Sequence, residues 1–591
     1  MSRRANGAVR RVSRMSTGPS RSFSSSSADT VTLSDGRVAH RDHVAQSERL
    51  VRRFYELQPG VWCLVGNGLS NQTFVEGPEG IIAIDTGESV EEMTDALREL
   101  RQVTSTPIVA VMYTHFHYVA GTRAILDENP SRSVPVWGHS RIATNRVRTS
   151  SEIGPAYSRG LVEQFALQLS ADGPDGTVNV GLGQFYRNPA HAPFTPGYVD
   201  ADHTFDDACA IAVAGLEVHV TPAPSDADDS VTFWFPSLGL AVHNLVWPVL
   251  FNVFAIRGEE YRDPRVLLTG IDHLLSLEAE HLAGAHGPPI NGATEIHDRA
   301  TKYRDSLQFL WDQSVRAINR GLTGPELAAA VRLPALYEQD YLTTQFYGVV
   351  EHHVRQIRTG LFGFFDGYEG DLFPLPTGER CRRLIEGFGG RQAVRAQARA
   401  ALASDDVRWA LELGAWLVRA NDESGSSLAA DDDRQLLADA LRTVAERTTS
   451  ANIRSWCLTR ARTLEGTIDF SRFYRHRFNR KQVLASPPER TVHLLRVMLD
   501  PERAEGIDVH LAWEFPDAAP TGLHLRNCVA CPTDGRGATV RIECDLATWA
   551  DVLTGTLTLS GALATGRIVV YGVVAAAQAA LGCFDVDGLR S

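Results

Sequence analysis

A chain of 591 residues, 43% hydrophobic and 22% charged, is long enough for two to four domains with buried cores and lies in the ordinary globular range. Its formal charge of −13 argues against a nucleic-acid partner, because a polyanion would be repelled over most of the surface. No apolar run reaches the roughly 18 residues that a membrane span needs, and eight cysteines over this length do not make a disulfide framework.

Residues 1–28 hold six arginines, many serines and no acid. They read as a disordered leader on a cytoplasmic protein, with a mitochondrial presequence as the alternative. From about residue 60 the short apolar runs VWCLVG, NQTFVEG and GIIAIDTG, broken by Gly, predict consecutive strands. SVEEMTDALRELRQV (89–103) puts Met93, Leu97 and Leu100 on one helical face, and PIVAVMYTH (107–115) is a near-continuous apolar strand. Strand, helix, strand, with His115 and His117 at the strand's C-terminal end, predicts an α/β layered fold, where sites gather at such ends. A second β-rich stretch is expected in LEVHVTPAP (216–224), VTFWFPSLGLAVHN (231–244) and VLFNVFAIRG (249–258). The pattern then turns helical, with a middle domain over about 300–465. RTVHLLRVMLDP, GIDVHLAWEFP, LHLRNCVAC and ATVRIECD alternate like strands and predict a separate C-terminal α+β domain. Its CxxC, Cys528 and Cys531, has no second pair and reads as small residues near a strand.

Imidazoles at i and i+2 of an extended segment point to one side and can share one ion. At VMYTHFHYVAG (111–121) the chain resembles the alkylsulfatase branch of the metallo-β-lactamase superfamily. GLSNQTFVEGPEGIIAID (68–85), GLGQFYRN (181–188), IRGEEYRDP (256–264), WDQSVRAINRGLTGPELA (311–328), YGVVEHHVRQI (347–357), FFDGYEGDL (364–372) and ATGRIVVYG (564–572) carry the same likeness. The resemblance implies an αββα metallo-β-lactamase sandwich over 29–299, an all-α dimerisation domain over 300–470 that makes a homodimer, and an α+β sterol-carrier-like domain over 471–591.

The family's metal motif THxHxDH supplies ligands for two zinc ions. Here His115 and His117 match, whereas Val119 and Ala120 stand at the Asp and second His positions. Ser225 stands where the family has Glu in a TPxTEAP loop, Asn244 at a further Glu position, and His286 matches the last His ligand. What remains implies a mononuclear site of His115, His117 and His286 holding one divalent metal, zinc first, with copper or iron as alternatives. Asp226, Asp229, Asn244 or Tyr118 are the oxygen donors that could complete it, and Asp85 suits a supporting role behind a ligand. A dinuclear site rebuilt from Asp226, Asp229 and His243, and a relic without metal, are the competing readings. Tyr118 and Tyr261 are the candidate proton donors. Asn252 and Arg257 match the family's sulfate-pocket stretch, where an Arg suits an anionic headgroup. His352-His353 reads as a helix cap or interface, and Asn71-Gln-Thr is formally a glycosylation sequon.

The expected function is metal-dependent hydrolysis of a sulfate ester, or a related anionic ester with an apolar tail, so the expected partner is a small anionic amphiphile. The alternatives are a copper or iron redox enzyme on the same scaffold and a catalytically dead dimeric lipid-binding protein.

Overall fold

The structure, a computed structural model, describes residue 23, residues 27–128 and residues 130–590. The leader expected over residues 1–28 lies outside these, apart from Phe23, Ser27 and Ala28. Among the described residues no helix is long and apolar enough to cross a membrane. The chain forms two compact units. One comprises residues up to Arg146 with Arg159–Asp469, the other Val147–Ser158 with residues from Phe470 on.

The first unit is built on two sheets. In the first, Arg53–Gln58, Val61–Val65, Gln72–Gly77, Gly80–Ile84, Ile108–Met112, Val136–His139 and His203–Phe205 lie side by side in chain order. The first three pairings are antiparallel and the last three parallel. The second sheet runs Cys209–Val213, Leu216–Pro222, Val231–Phe235, Leu240–His243, His281–Gly284, Ile290–Asn291. Strict alternation in Leu216–Pro222 sends Leu216, Val218 and Val220 inward and Glu217 outward. Val218, Val220, Phe233 and Val242 then interdigitate with Val61, Ile82, Ile84 and Met112 of the first sheet. Each such side chain contributes about 1.5–3 kcal/mol by leaving water.

Helices cover both outer faces. Val90–Val103 is capped by Ser89, which accepts from Glu92 N at 3.1 Å, and lays Met93, Leu97 and Leu100 on Phe74, Ile81 and Val111. Across the second sheet, Leu267 and Ile271 of helix Pro264–Ser276 and Tyr303, Leu307 and Leu310 of helix Ala293–Ile318 share one core with Ala241 and Leu282. This is the expected αββα sandwich. Helix Ala293–Ile318 runs straight through residue 300. Seven further helices follow among the described residues of the same unit: Gly324–Ala330, Val350–Phe362, Thr377–Gly387, Arg391–Ala403, Val407–Arg419, Asp431–Arg447 and Ala451–Leu464.

Two strand expectations fail. VLFNVFAIRG (249–258) holds no strand. Val249, Leu250, Phe251 and Val253 are buried as irregular chain beneath the helices, and Leu250 N finds Thr344 O at 2.9 Å instead of a neighbouring strand. The apolarity came from burial alone, which strand and coil share. RTVHLLRVMLDP folds as helix Pro488–Leu494 and a tighter turn over Leu495–Met498, started by a proline at the first helical position.

The second unit carries a five-stranded sheet in the order Val529–Thr533, Thr521–Arg526, Val509–Glu514, Val540–Cys544, Ile568–Tyr571. Asn527 and Cys528, with φ of 50° and 58°, make the tight hairpin turn between two of these strands. Cys528 thus belongs to a turn and Cys531 to a strand, and all eight cysteines are free.

Candidate metal centre

The strand Ile108–Met112 ends inside the sandwich and passes directly into Thr114, His115 and a single turn over Phe116–Tyr118. Asp85, at the end of the neighbouring strand, adopts φ 57°, a conformation that a side chain other than Gly holds only under constraint. Its carboxylate accepts from Thr114 N at 2.8 Å and from Thr114 Oγ1 at 2.6 Å. Because the threonine hydroxyl gives its only proton to Asp85, it must accept from His115 Nδ1–H, 2.8 Å away. That fixes the tautomer, leaving His115 Nε2 with a bare lone pair. Asp85 therefore stands behind the ligand candidate, and burial pushes its carboxyl up to about 7 against the pull of the Thr114 hydrogen bonds.

The His115 and His117 rings meet edge to face with centroids 5.0 Å apart. Opposite them is Asp226, on the loop after strand Leu216–Pro222. His117 Nδ1 lies 3.1 Å from Asp226 Oδ2, and His115 Nε2 lies 3.8 Å from Asp226 Oδ1. One ligand atom from each of the three residues lies within 4.8 Å of the others, and no further group of this kind occurs among the described residues. His115 Nε2 and both ring nitrogens of His117 are buried without a hydrogen-bond partner. Burial pushes His115 down to about 3 against the opposing pull of Asp226. Burial opposes ionisation of Asp226, but the imidazoles and Arg262 outweigh it and hold the carboxyl well below the usual range. Imidazole nitrogens without hydrogen-bond partners converging on a carboxylate fit one divalent cation.

The other sequence candidates surround this group. His286 gives Nδ1–H to Leu69 O at 3.0 Å, and its Nε2 accepts from Tyr118 OH at 3.4 Å. Tyr118 thus stands between His286 and the pair, its ring also against His115 and His117. Burial, with Asp226 and Glu88 nearby, lifts its phenol well above the ordinary value, so it stays protonated. Asn244 donates to Asp226 Oδ1 at 2.6 Å and to Ser225 Oγ at 3.1 Å, while Trp247 Nε1 holds the Asn244 carbonyl at 3.0 Å. Asn244 and Ser225 therefore orient Asp226. Asp229 is occupied by Phe116 N and Asn145, and His243 Nδ1 accepts from Leu245 N and Val246 N. Val119 is packed in the core, and Ala120 N bonds Gly87 O at 3.0 Å. Asn71 spends its side-chain amide on Gly284 O and Gly287 O, inside the fold.

A second polar cluster adjoins the first. Arg262, buried, donates Nη1–H to Asn252 O at 2.8 Å, while its Nε and Nη2 have no partner. The Asn252 side-chain amide and His353 Nε2 are also buried and unpartnered. His353 accepts from Phe254 N at 3.2 Å, and burial pushes its imidazole down to about 3. Gly348 makes the cluster possible, since a Cβ there would lie 2.2 Å from Asn252 Oδ1 and 2.4 Å from His353 Cε1. Arg257 pairs with Glu259 at 3.5 Å, both nearly buried. Tyr261 lays its ring on Gly360 and leaves its hydroxyl without a hydrogen bond. Buried guanidinium and amide donors without acceptors make a place for an anion.

Sequence reasoning missed Arg262 and His353 as members of this cluster. Arg262 had a readable signal: Asp263-Pro264 caps the helix Pro264–Ser276, so the preceding residue is fixed at its start. It also missed Glu88 and Glu92, a buried carboxyl pair. Glu92 is clasped between Gly68 and Gly87, where a Cβ would come within 2.4 Å of its Oε1, and Glu88 N donates to its Oε2 at 3.1 Å.

Comparison with known proteins extends these observations. The family models Alkyl sulfatase dimerisation and Alkyl sulfatase C-terminal match residues 323–467 and 478–587. A linear primary-alkylsulfatase of Pseudomonas sp. (strain ATCC 19151) is 32% identical over 530 residues, covering 87% of this chain and 98% of that protein. An (R)-specific secondary-alkylsulfatase of Pseudomonas sp. is 29% identical over 513 residues, covering 85% and 74%. Among solved structures, the stereoselective inverting sec-alkylsulfatase Pisa1 from Pseudomonas sp. superposes with a TM-score of 0.81 at 26% identity, covering 95% of this chain and 88% of that one.

Proposed function

The chain belongs to the alkylsulfatase family, and from that premise we propose that it hydrolyses a sulfate ester carrying an apolar tail, at one divalent metal held by His115, His117 and Asp226. The observation that carries this reading is the convergence of unpartnered imidazole nitrogens on the Asp226 carboxylate, next to the unpartnered donors of Arg262 and Asn252. A bound zinc or similar ion would supply Lewis acidity and lower the pKa of a water molecule.

The protein's own groups do the rest. Arg262 and Asn252 hold the sulfate oxygens, since a buried guanidinium with free donors favours a tetrahedral oxyanion over a neutral ester. Asp85, through Thr114, keeps His115 Nε2 proton-free, and Asn244 keeps Asp226 turned toward the histidines. Tyr118 keeps its proton and can deliver it to the departing ester oxygen. His286, bonded to Tyr118, takes part as a further imidazole at the edge of the centre. The match over residues 323–467 supports a homodimer as the working form.

Metal content measured by mass spectrometry on chelator-free protein, together with sulfate release from decyl sulfate, tests the reading. One metal ion per chain and release that His117→Ala abolishes are expected. Release no faster than in the His117→Ala protein refutes it.

A further inference from the structure

Helix Val350–Phe362 ends on a stretch that the fold leaves bare. Phe364 and Phe373 are 83% and 95% exposed, Phe362, Tyr368 and Leu372 more than half, and Phe365 and Leu375 are exposed as well. The backbone beneath them is nevertheless held. Asp366 accepts from Gly324 N at 3.0 Å, and Arg358 Nη1 donates to Phe365 O at 3.2 Å. A single turn over Glu369–Asp371 closes with Leu372 N on Glu369 O at 3.2 Å. A contiguous apolar patch on anchored chain marks a surface made for a partner.

Its size suits a protein partner. The five aromatic rings leave in water the equivalent of roughly three whole side chains, on the order of 500–800 Å² at about 150–250 Å² each. Two copies hiding these rings would bury at least about 1,000–1,600 Å² in total, which reaches the range of about 1,200–2,000 Å² of specific protein pairs. Residues 362–378 carry Asp366, Glu369 and Asp371 and no basic residue, so their charge opposes an anionic lipid or detergent surface. They also lie within residues 323–467, the stretch matched by Alkyl sulfatase dimerisation.

A receptor for the rings opens at the other end of the same helix. An apolar cavity of about 600 Å³ takes Val349 and His352 from the start of the helix, and Leu411, Leu441, Val444 and Trp456 from helices that follow. The helix has 13 residues and so spans about 20 Å at about 1.5 Å each. A two-fold axis crossing it near its middle exchanges its ends, which sets the aromatic stretch of each copy over the cavity of the other. Arg355, Thr359 and Phe362 form the exposed stripe of the helix along which that crossing runs.

We propose that residues 362–375 are an arm that a second copy of this chain receives in the cavity, each copy giving one arm and taking one. The proposal rests on the homodimer reading and names the surface that makes the dimer.

Sedimentation over a dilution series tests it, and the wild-type chain should run as a dimer. Phe364→Ser combined with Phe373→Ser changes only surface positions and should raise the dimer Kd at least about 100-fold. Val103→Ser, at an exposed valine elsewhere, should leave the Kd unchanged. Ala415→Trp, which fills the cavity, should act like the arm variant. Each of these two should be monomeric alone and form a dimer when mixed, because one intact arm then meets one open cavity. Circular dichroism checks folding, and the arm variant decides alone if Ala415→Trp does not fold. A monomeric wild-type chain refutes the homodimer reading and this proposal together. A wild-type dimer whose Kd the arm variant leaves unchanged refutes this surface only. Folded variants that stay apart on mixing show that arm and cavity do not meet. Unchanged mass in the arm variant, with loss of binding to phosphatidylglycerol vesicles, assigns the arm to a lipid surface instead.

Discussion

His117 Nδ1 and Asp226 Oδ2 stand 3.1 Å apart without the angle of a hydrogen bond, both in the interior of the sandwich. Two polar atoms this close would ordinarily share a proton. A buried imidazole nitrogen left without a hydrogen-bond partner beside a buried carboxylate leaves both groups available to one cation.

Asp226 should therefore be indispensable to metal binding and Asn244 important to it. Asp226→Ala is expected to lose stoichiometric metal. Asn244→Leu, which removes the donor that orients Asp226, is expected to weaken binding about 10- to 100-fold. Competition with a chromophoric chelator measures both.

Arg262 should act on the substrate and not on the metal. Arg262→Met is expected to keep full metal content and lower kcat/KM for decyl sulfate about 30- to 1,000-fold, the cost of leaving a buried anion without its charged partner. Equal metal content with unchanged kinetics would remove Arg262 from the site.

Gly348 offers a check on the same cluster through backbone geometry. A Cβ there would lie 2.2 Å from Asn252 Oδ1 and 2.4 Å from His353 Cε1. Gly348→Ala should push the two apart and lower turnover at least tenfold by order of magnitude, with metal content retained. Parallel kinetics and metal analysis decide it.

Glu92 gives the fold a pH dependence of its own. Burial lifts its carboxyl to about 7, while hydrogen bonds from Glu88 N and Gln72 pull the other way. Between the unfolded value of 4.5 and about 7 the folded chain binds a proton that the unfolded chain lacks. Its contribution is thus fully present below pH 4.5 and lost as pH rises through 7. Glu92→Gln should flatten this slope, raising stability at pH 8 relative to pH 5 by on the order of 1–3 kcal/mol. Urea unfolding at the two pH values measures it.

The layers of the sandwich were legible because their signals are local. Period-2 alternation in Leu216–Pro222 and the face formed by Met93, Leu97 and Leu100 state their own burial. The segment 249–258 was not, because an apolar run says that chain is buried and not how its amides are paired. At the site, His115 and His117 were visible as a pair within one segment. Asp226 was visible only as a neighbour of Ser225, and its aim at the histidines rests on Asn244 and Trp247, contacts that no spacing encodes. The Arg262, Asn252 and His353 group comes from two distant segments brought together over Gly348, which sequence order leaves unmarked.

The one-residue step from Ser225 to Asp226 has a consequence for how such chains are sorted. A residue-by-residue comparison that demands a carboxylate at position 225 discards this sequence as an inactive descendant. In space, however, the acid one place along the loop meets His115 and His117, while Ser225 becomes part of its support. Donor inventories for this fold are better kept by location around the histidines than by alignment column, and on that basis a share of the chains filed as dead would return for assay.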